Sequence, residues 1–239
     1  APGLDALSAG FSTRGSLAGW IKSVEPLSTR PIPWIAIYAA AASVLVEILD
    51  APNFIVDISG VTSGGKTLSA RIACSIWGSP DDKGGGLLGS WSDTLANIER
   101  RAGFLYSLPI VIDESQKAGR SASEAEAKIR EVAHSITSGQ GKGRAALVGI
   151  QSSDRWRAVM ISTGEERLTS FCGAGGVAAR IISIEGQPFG EKSEENATAA
   201  DAVEAGIMEN YGHIGRLLLT LLIEGRDKCG NIGGGILAA

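Results

Sequence analysis

Two short runs in this chain could together do phosphate chemistry. The first is Gly60-Val61-Thr62-Ser63-Gly64-Gly65-Lys66-Thr67, which fits G-x-x-x-x-G-K-[ST] without a mismatch. Glycines at those places let the backbone turn so that successive N–H groups face one centre. A helix opening at Lys66 adds its positive end. The Lys66 amine would sit on the outer phosphates of ATP and Thr67 would give its hydroxyl to Mg2+, with Leu68 completing the binding run from Gly60. The second run is Leu108-Pro109-Ile110-Val111-Ile112-Asp113-Glu114, an apolar stretch that delivers two adjacent carboxylates. A buried strand rarely ends in two acids without reason, since each must stay solvated or paired. Asp113 would hold Mg2+ through water, and Glu114 would orient and activate the attacking water. Taken singly, the first run could be a glycine turn with a surface lysine, in a chain with 32 glycines among 239 residues. The second could be a solvated acidic turn. Together, and separated by a distance that fits one helix–strand–helix, they favour an ATP site.

Three further groups bear on that site. Ala158-Val159-Met160-Ile161-Ser162-Thr163 is a third apolar run, ending in hydroxyls. Thr163 is the first choice for a residue that senses the γ-phosphate, and Ser162 the second. Arg180 follows a glycine segment and opens another apolar run, so it could reach a neighbouring subunit's nucleotide as a catalytic finger, or be a plain surface arginine. Lys142, Arg144, Arg155 and Arg157 stand against Asp154 as a local positive cluster in an acidic protein. They could hold DNA phosphates, contact ATP in a neighbour, or belong to a solvated loop. Arg216 is a weak candidate for a second nucleotide sensor.

The elements that must position these groups can be sketched from periodicity and turn residues. A proline-started core helix spans 34–49, and a β-branched strand 53–59 feeds the glycine loop. A helix follows over 66–77, with Leu68, Ile72 and Ile76 on one face. LLGSW reads as a short strand, with Ser92 capping the next helix. LPIVIDE (108–114) is a strand. Ser123 and Glu126 have capping-box spacing for a helix running to about 138. GRAALVGI and RAVMIST read as two strands of a hairpin, and AARIISIE (178–185) as a further strand. EKSEENATAADA reads as a linker, and MENYGHIGRLLLTLLIEG as a helical region. Strands alternating with helices imply a mainly parallel sheet covered on both faces, with its ligand at the carboxyl ends of the strands.

Bulk properties exclude little but point one way. A hydrophobic share of 44% with 20% charged residues is that of a soluble globular chain. A net charge of −4 argues against a monomer that coats nucleic acid. Cys74, Cys172 and Cys229 are scattered and odd in number, and His134 and His213 are the chain's two histidines, so free thiols in a reducing cytoplasm are expected rather than zinc. The apolar stretch from Trp34 to Leu49 is shorter than a membrane span needs. No signal peptide is visible, and the start at Ala1 leads us to expect a piece of a longer protein.

In their order, FIVDISGVTSGGKT…ACSIWG, GSWSDTLANIE, LPIVIDE, GKGR, STGE and NYG resemble the ATPase domain of Cch-like helicases of mobile genetic elements, catalogued as domain of unknown function 927. The resemblance runs over about 34–225. It implies an α/β three-layer P-loop NTPase of the AAA+ type, related to minichromosome-maintenance helicases. Such a domain has a five-stranded, mainly parallel sheet, a pre-sensor hairpin within 142–157 and C-terminal helices. It also implies a homo-oligomeric ring working on single-stranded DNA in a central pore. By position it assigns Lys66 and Thr67 to the phosphate loop, Asp113 and Glu114 to metal and water, Thr163 to the first sensor and Arg180 to the finger. The expected organisation is an arm or the end of a preceding region over 1–30, an ATPase core over 31–190, and a C-terminal helical segment over 191–239. The expected function is a cytoplasmic DNA helicase or translocase motor using ATP and Mg2+. The alternative is an ATP-switched DNA-binding or assembly module without unwinding. Glu114 and the extra strand disfavour a small-molecule kinase.

Overall fold

The computed structural model describes residues 2–82, 85–142, 144–145, 150–151, 154–173 and 175–229. Two N-terminal helices, α1 (Pro2–Gly10) and α2 (Leu17–Val24), precede α3 (Pro31–Ala42), which proline starts at its first position, and α4 (Leu45–Ile48). The alternating core follows: β1 (Phe54–Ser59), α5 (Lys66–Ser75), β2 (Gly89–Ser90), α6 (Leu95–Leu105), β3 (Ile110–Asp113) and α7 (Ala122–Ser138). After it come β4 (Arg144–Ala145), β5 (Ile150–Gln151), β6 (Val159–Gly164), α8 (Leu168–Cys172), β7 (Ile181–Glu185), α9 (Glu194–Glu209) and α10 (His213–Cys229).

Five strands form one parallel sheet in the order β2-β3-β6-β1-β7. β1, β3 and β6 are buried on both faces, which is why they read as continuous apolar runs rather than as alternation. Helices α3 and α5 cover one face, and α6, α7 and α8 the other. The α/β three-layer P-loop architecture is therefore present, and its register decides where chemistry can happen. Ser59 pairs with Gly164 and Ile112 with Ser162, so the loop after β1, the acids after β3 and the end of β6 share one edge of the sheet. At the opposite edge Phe54 pairs with Val159 and Ile55 with Ile181.

Several local expectations shift. The helix expected over 34–49 is interrupted after Ala42. There the buried Ser43 hydroxyl accepts the Val159 N–H at 3.0 Å and ties the helix end to the edge of β6. Thr94, not Ser92, caps α6, accepting from Asn97 N–H. The capping box of α7 is Ser121 with Glu124, two residues earlier than expected: Glu124 N–H donates to Ser121 Oγ while the Glu124 carboxylate accepts Arg120 N–H. The hairpin partner of 143–150 is not the strand that became β6. β4 and β5 pair antiparallel with each other, and β6 joins the main sheet. Residues 146–149, between β4 and β5, lie outside the described residues. The segment expected as a linker is the start of α9, capped by Ser193. Its small residues bring it close to α2, with Val203 and Ile207 buried. In the first 30 residues, Trp20 is buried and its indole N–H donates to Ser75 Oγ at 2.8 Å. Among the described residues, no helix is long and apolar enough to cross a membrane.

Candidate functional site

The glycine loop between β1 and α5 is shaped by residues that only its composition permits. Gly65 sits at φ +88°, and a Cβ there would meet the Phe189 ring at 2.4 Å. Gly60 sits at φ +147°, where a Cβ would meet the Gly186 carbonyl oxygen at 2.4 Å. Ser63 takes the left-handed region at φ +64°, a conformation disfavoured for any side chain with a Cβ. The turn delivers Lys66 as the first residue of α5. Its Nζ donates to Gly60 O at 2.8 Å and Val61 O at 2.6 Å. Burial lowers the Lys66 pKa from the ordinary lysine value, and the charges of Glu165 and Asp113 partly oppose that shift.

The cleft that these residues line shows the convergence that the two motifs required. A cleft of about 930 Å3 at the carboxyl edge of the sheet is lined by Lys66, Thr67, Leu68, Asp113, Glu114 and Thr163, among others. Asp113 is buried and accepts a short hydrogen bond from Thr163 Oγ1. The same hydroxyl accepts the Glu114 backbone N–H at 3.2 Å, so Thr163 joins the two acids. Glu114 lies in the left-handed region at φ +66° and pairs with Lys117 through its carboxylate. Alternation along β6 separates the two sensor candidates. Thr163 faces Asp113, whereas buried Ser162 accepts the Trp91 indole N–H at 3.0 Å on the other side.

Of the remaining run, Thr62, Ser63, Gly64 and Gly65 line the cleft, and exposed Val61 contributes its carbonyl to Lys66. Thr62 Oγ1 also donates to Glu165 Oε1 at 2.6 Å, linking the glycine loop to the loop after β6. Other candidates lie elsewhere. Arg180 stands just before β7, at the far edge of the sheet, and its Nη1 donates to Thr137 O at 2.8 Å. Arg155 and Arg157 share a cavity with it. Lys142 pairs with Glu131 at 3.2 Å beside the β4–β5 hairpin, which Arg144 opens. Arg216 is on α10 and is not among the residues lining the cleft.

Sequence reasoning missed the wall opposite α5. Phe189, Asn196, Ala197, Ala200 and Glu204 line it, with Arg71 of α5 across the cleft. Arg30 organises this wall: its guanidinium lies 5.6 Å from the Phe189 ring centre and donates to Asn196 Oδ1 at 2.7 Å. Arg71 bridges α5 to α9 by pairing with Glu204, and it also pairs with Asp82 at 2.8 Å. No spacing signal marks the part of this wall that comes from α9 and its approach, whose alanine-rich pattern hides a helix. The apolar Phe189–alanine surface and the polar loop together give one end suited to a ring and one suited to phosphates.

Comparison with known proteins follows the same line. The model of a domain of unknown function, DUF927, matches residues 4–155. A solved structure titled "SCCmec type IV Cch - active helicase" superposes with a TM-score of 0.72 at 25% identity, covering 93% of this chain and 40% of that one. A JCV helicase solved with a bound acetamide compound matches at a TM-score of 0.41 and 13% identity, over 91% of this chain and 55% of that one, a distance at which it supports no argument. No curated protein matches the chain. This chain thus spans 40% of the Cch structure's length. With most of its length matched by one family model, the chain belongs to the family of the domain of unknown function DUF927, and its fold is similar to that of the Cch helicase.

Proposed function

We propose that this chain is the ATP-hydrolysing motor of a DNA helicase or translocase, working as a ring of identical copies in the replication of a mobile element. One observation carries the reading: Lys66, Thr67, Asp113, Glu114 and Thr163, drawn from three separate strand ends, meet in one cleft. The donor set fits MgATP. Thr67 and Asp113 offer the hard oxygens that Mg2+ takes, and the partly desolvated Lys66 amine rests on two carbonyls. Held by the Thr67 hydroxyl and the Asp113 carboxylate, Mg2+ would supply charge neutralisation to the outer phosphates. The residues do the rest. Backbone N–H groups of the glycine loop and the first turn of α5 hold the phosphate chain, and Lys66 Nζ swings from its carbonyls onto it. Glu114 accepts the proton of the attacking water. Thr163 fixes the distance between metal acid and base through its two hydrogen bonds. Arg180 stands at the other edge and serves the cleft of a neighbouring copy. Lys142 and Arg144, at the hairpin, supply the cations for DNA.

The test is ATP turnover with and without single-stranded DNA, together with strand displacement. DNA-stimulated turnover with displacement supports the motor. Slow turnover indifferent to DNA supports an ATP-switched assembly module, and transfer of phosphate to a metabolite would revive a kinase.

A further inference from the structure

Away from its phosphate end, the cleft is lined by Leu68 of α5 and by Phe189, Ala197 and Ala200 of the opposite wall. We propose that this end holds the base of a nucleotide without reading it, so that the substrate class is purine nucleoside triphosphates and not ATP alone. The inference rests on the cleft being a nucleotide site.

Asn196 is the side chain there best suited to read a base, since an amide pairs with adenine through one acceptor and one donor. Both ends of that amide are already engaged. Its Oδ1 accepts Arg30 Nη2 at 2.7 Å, and its Nδ2 donates to Glu191 O at 2.8 Å. The backbone beside it is committed as well. Phe189 N–H donates to Gly64 O at 3.3 Å, its carbonyl accepts Arg30 Nη1 at 3.3 Å, and Gly190 N–H donates to Gln187 O at 2.9 Å. Arg71 gives its two terminal nitrogens to Glu204 and Asp82, and its Nε is buried. Lys192, Glu194 and Asp201 also line the cleft, but they are exposed, where water competes for each bond they make.

Arg30 is what makes the wall indifferent. One guanidinium lies over the Phe189 ring, 5.6 Å from its centre, and holds Asn196 with the same fork. A site that reads a base leaves its own polar groups unmet when the wrong base enters, and so rejects it by about 10⁴-fold or more. That penalty does not arise here, because adenine and guanine both leave these groups paired within the protein. What remains is apolar contact, which scales with the area covered. Adenine and guanine present the same two-ring frame to it, and a pyrimidine presents less.

The test is calorimetric titration of the intact chain with MgATP, MgGTP, MgCTP and MgUTP. The expected dissociation constants for MgATP and MgGTP agree within about fivefold, with the pyrimidine nucleotides weaker by about tenfold. A preference between MgATP and MgGTP above about tenfold, in either direction, would overturn the inference and leave the proposed function standing. Binding of none of the four would overturn both. Ala200→Leu, which fills the wall, should weaken MgATP and MgGTP by the same factor, about tenfold, while magnesium tripolyphosphate, which has no base, binds within about twofold of wild type. Unequal losses for the two purines, or unchanged purine affinities, would overturn the placement of the base. Should that variant lose tripolyphosphate too, its cleft is damaged, and Ala197→Leu must then show the equal purine losses or the proposal fails.

Discussion

Glu114 holds a backbone conformation that a non-glycine residue adopts at a cost of about 1 kcal/mol or more. Its N–H is fixed by Thr163, its carboxylate pairs with Lys117, and the residue lines the cleft shared with Asp113. Strain kept at the proposed water-activating acid has a measurable consequence. Glu114→Gly should raise the free energy of unfolding, read from the denaturant midpoint at unchanged slope, by up to about 1 kcal/mol while abolishing turnover, because the φ penalty disappears together with the base. Glu114→Gln should bind ATP as wild type does and hydrolyse it about 10²-fold more slowly or worse. Turnover equal to wild type would remove Glu114 from the chemistry. At this scale the sequence was informative wherever a residue's type is its function: Lys66, Asp113 and Glu114 are legible from their spacing. The choice between Ser162 and Thr163 was not, since both are hydroxyls at a strand end and only the pleat decides which one faces Asp113.

Elements were legible in proportion to how much apolar surface they bury. β1, β3 and β6, buried throughout, announce themselves. α9 does not, because it buries Val203 and Ile207 between polar and alanine positions, and it therefore reads as a linker. The wall of the cleft that it builds was lost with it. The β4–β5 hairpin was misjudged because an apolar segment can fold back on itself as easily as it can pair with the next strand. Packing between elements also hides Asp57, which in sequence is one polar residue inside a strand. In the fold it is fully buried in the middle of β1 and accepts the first N–H of α8 at 2.8 Å and the Ser183 hydroxyl at 3.2 Å through Oδ2, while Oδ1 accepts no hydrogen bond among the described residues. Burial raises its pKa from 3.8 to about 6, against the lowering effect of those two hydrogen bonds. The folded state therefore binds this proton more tightly than the unfolded chain. The stability it gives is present below pH 3.8 and is lost as pH rises through about 6, a change of about 3 kcal/mol. Urea unfolding of wild type across that window should show this fall, and Asp57→Asn should remove it. A variant that keeps the same pH slope would place the titration elsewhere.

For the whole molecule, the sheet separates by its length the proposed nucleotide cleft at one edge from a cavity lined by Arg155, Arg157 and Arg180 at the other. In the ring we propose, Arg180 would meet a neighbour's cleft, which leaves the hairpin with Lys142 and Arg144 for DNA. Removing the Lys142 and Arg144 charges should weaken single-stranded DNA binding across sequences and flatten its salt dependence by about one unit of slope per lost cation, with nucleotide affinity unchanged. An unaltered salt slope would take the hairpin off the DNA path. All of this depends on one cleft holding one magnesium–nucleotide, and calorimetric titration of MgATP tests that most directly. Wild type should bind a single equivalent, Lys66→Ala should lose affinity by at least about tenfold, and Asp113→Asn should bind with no dependence on Mg2+. If both variants bind MgATP as wild type does, the two motifs do not share a ligand and the account fails.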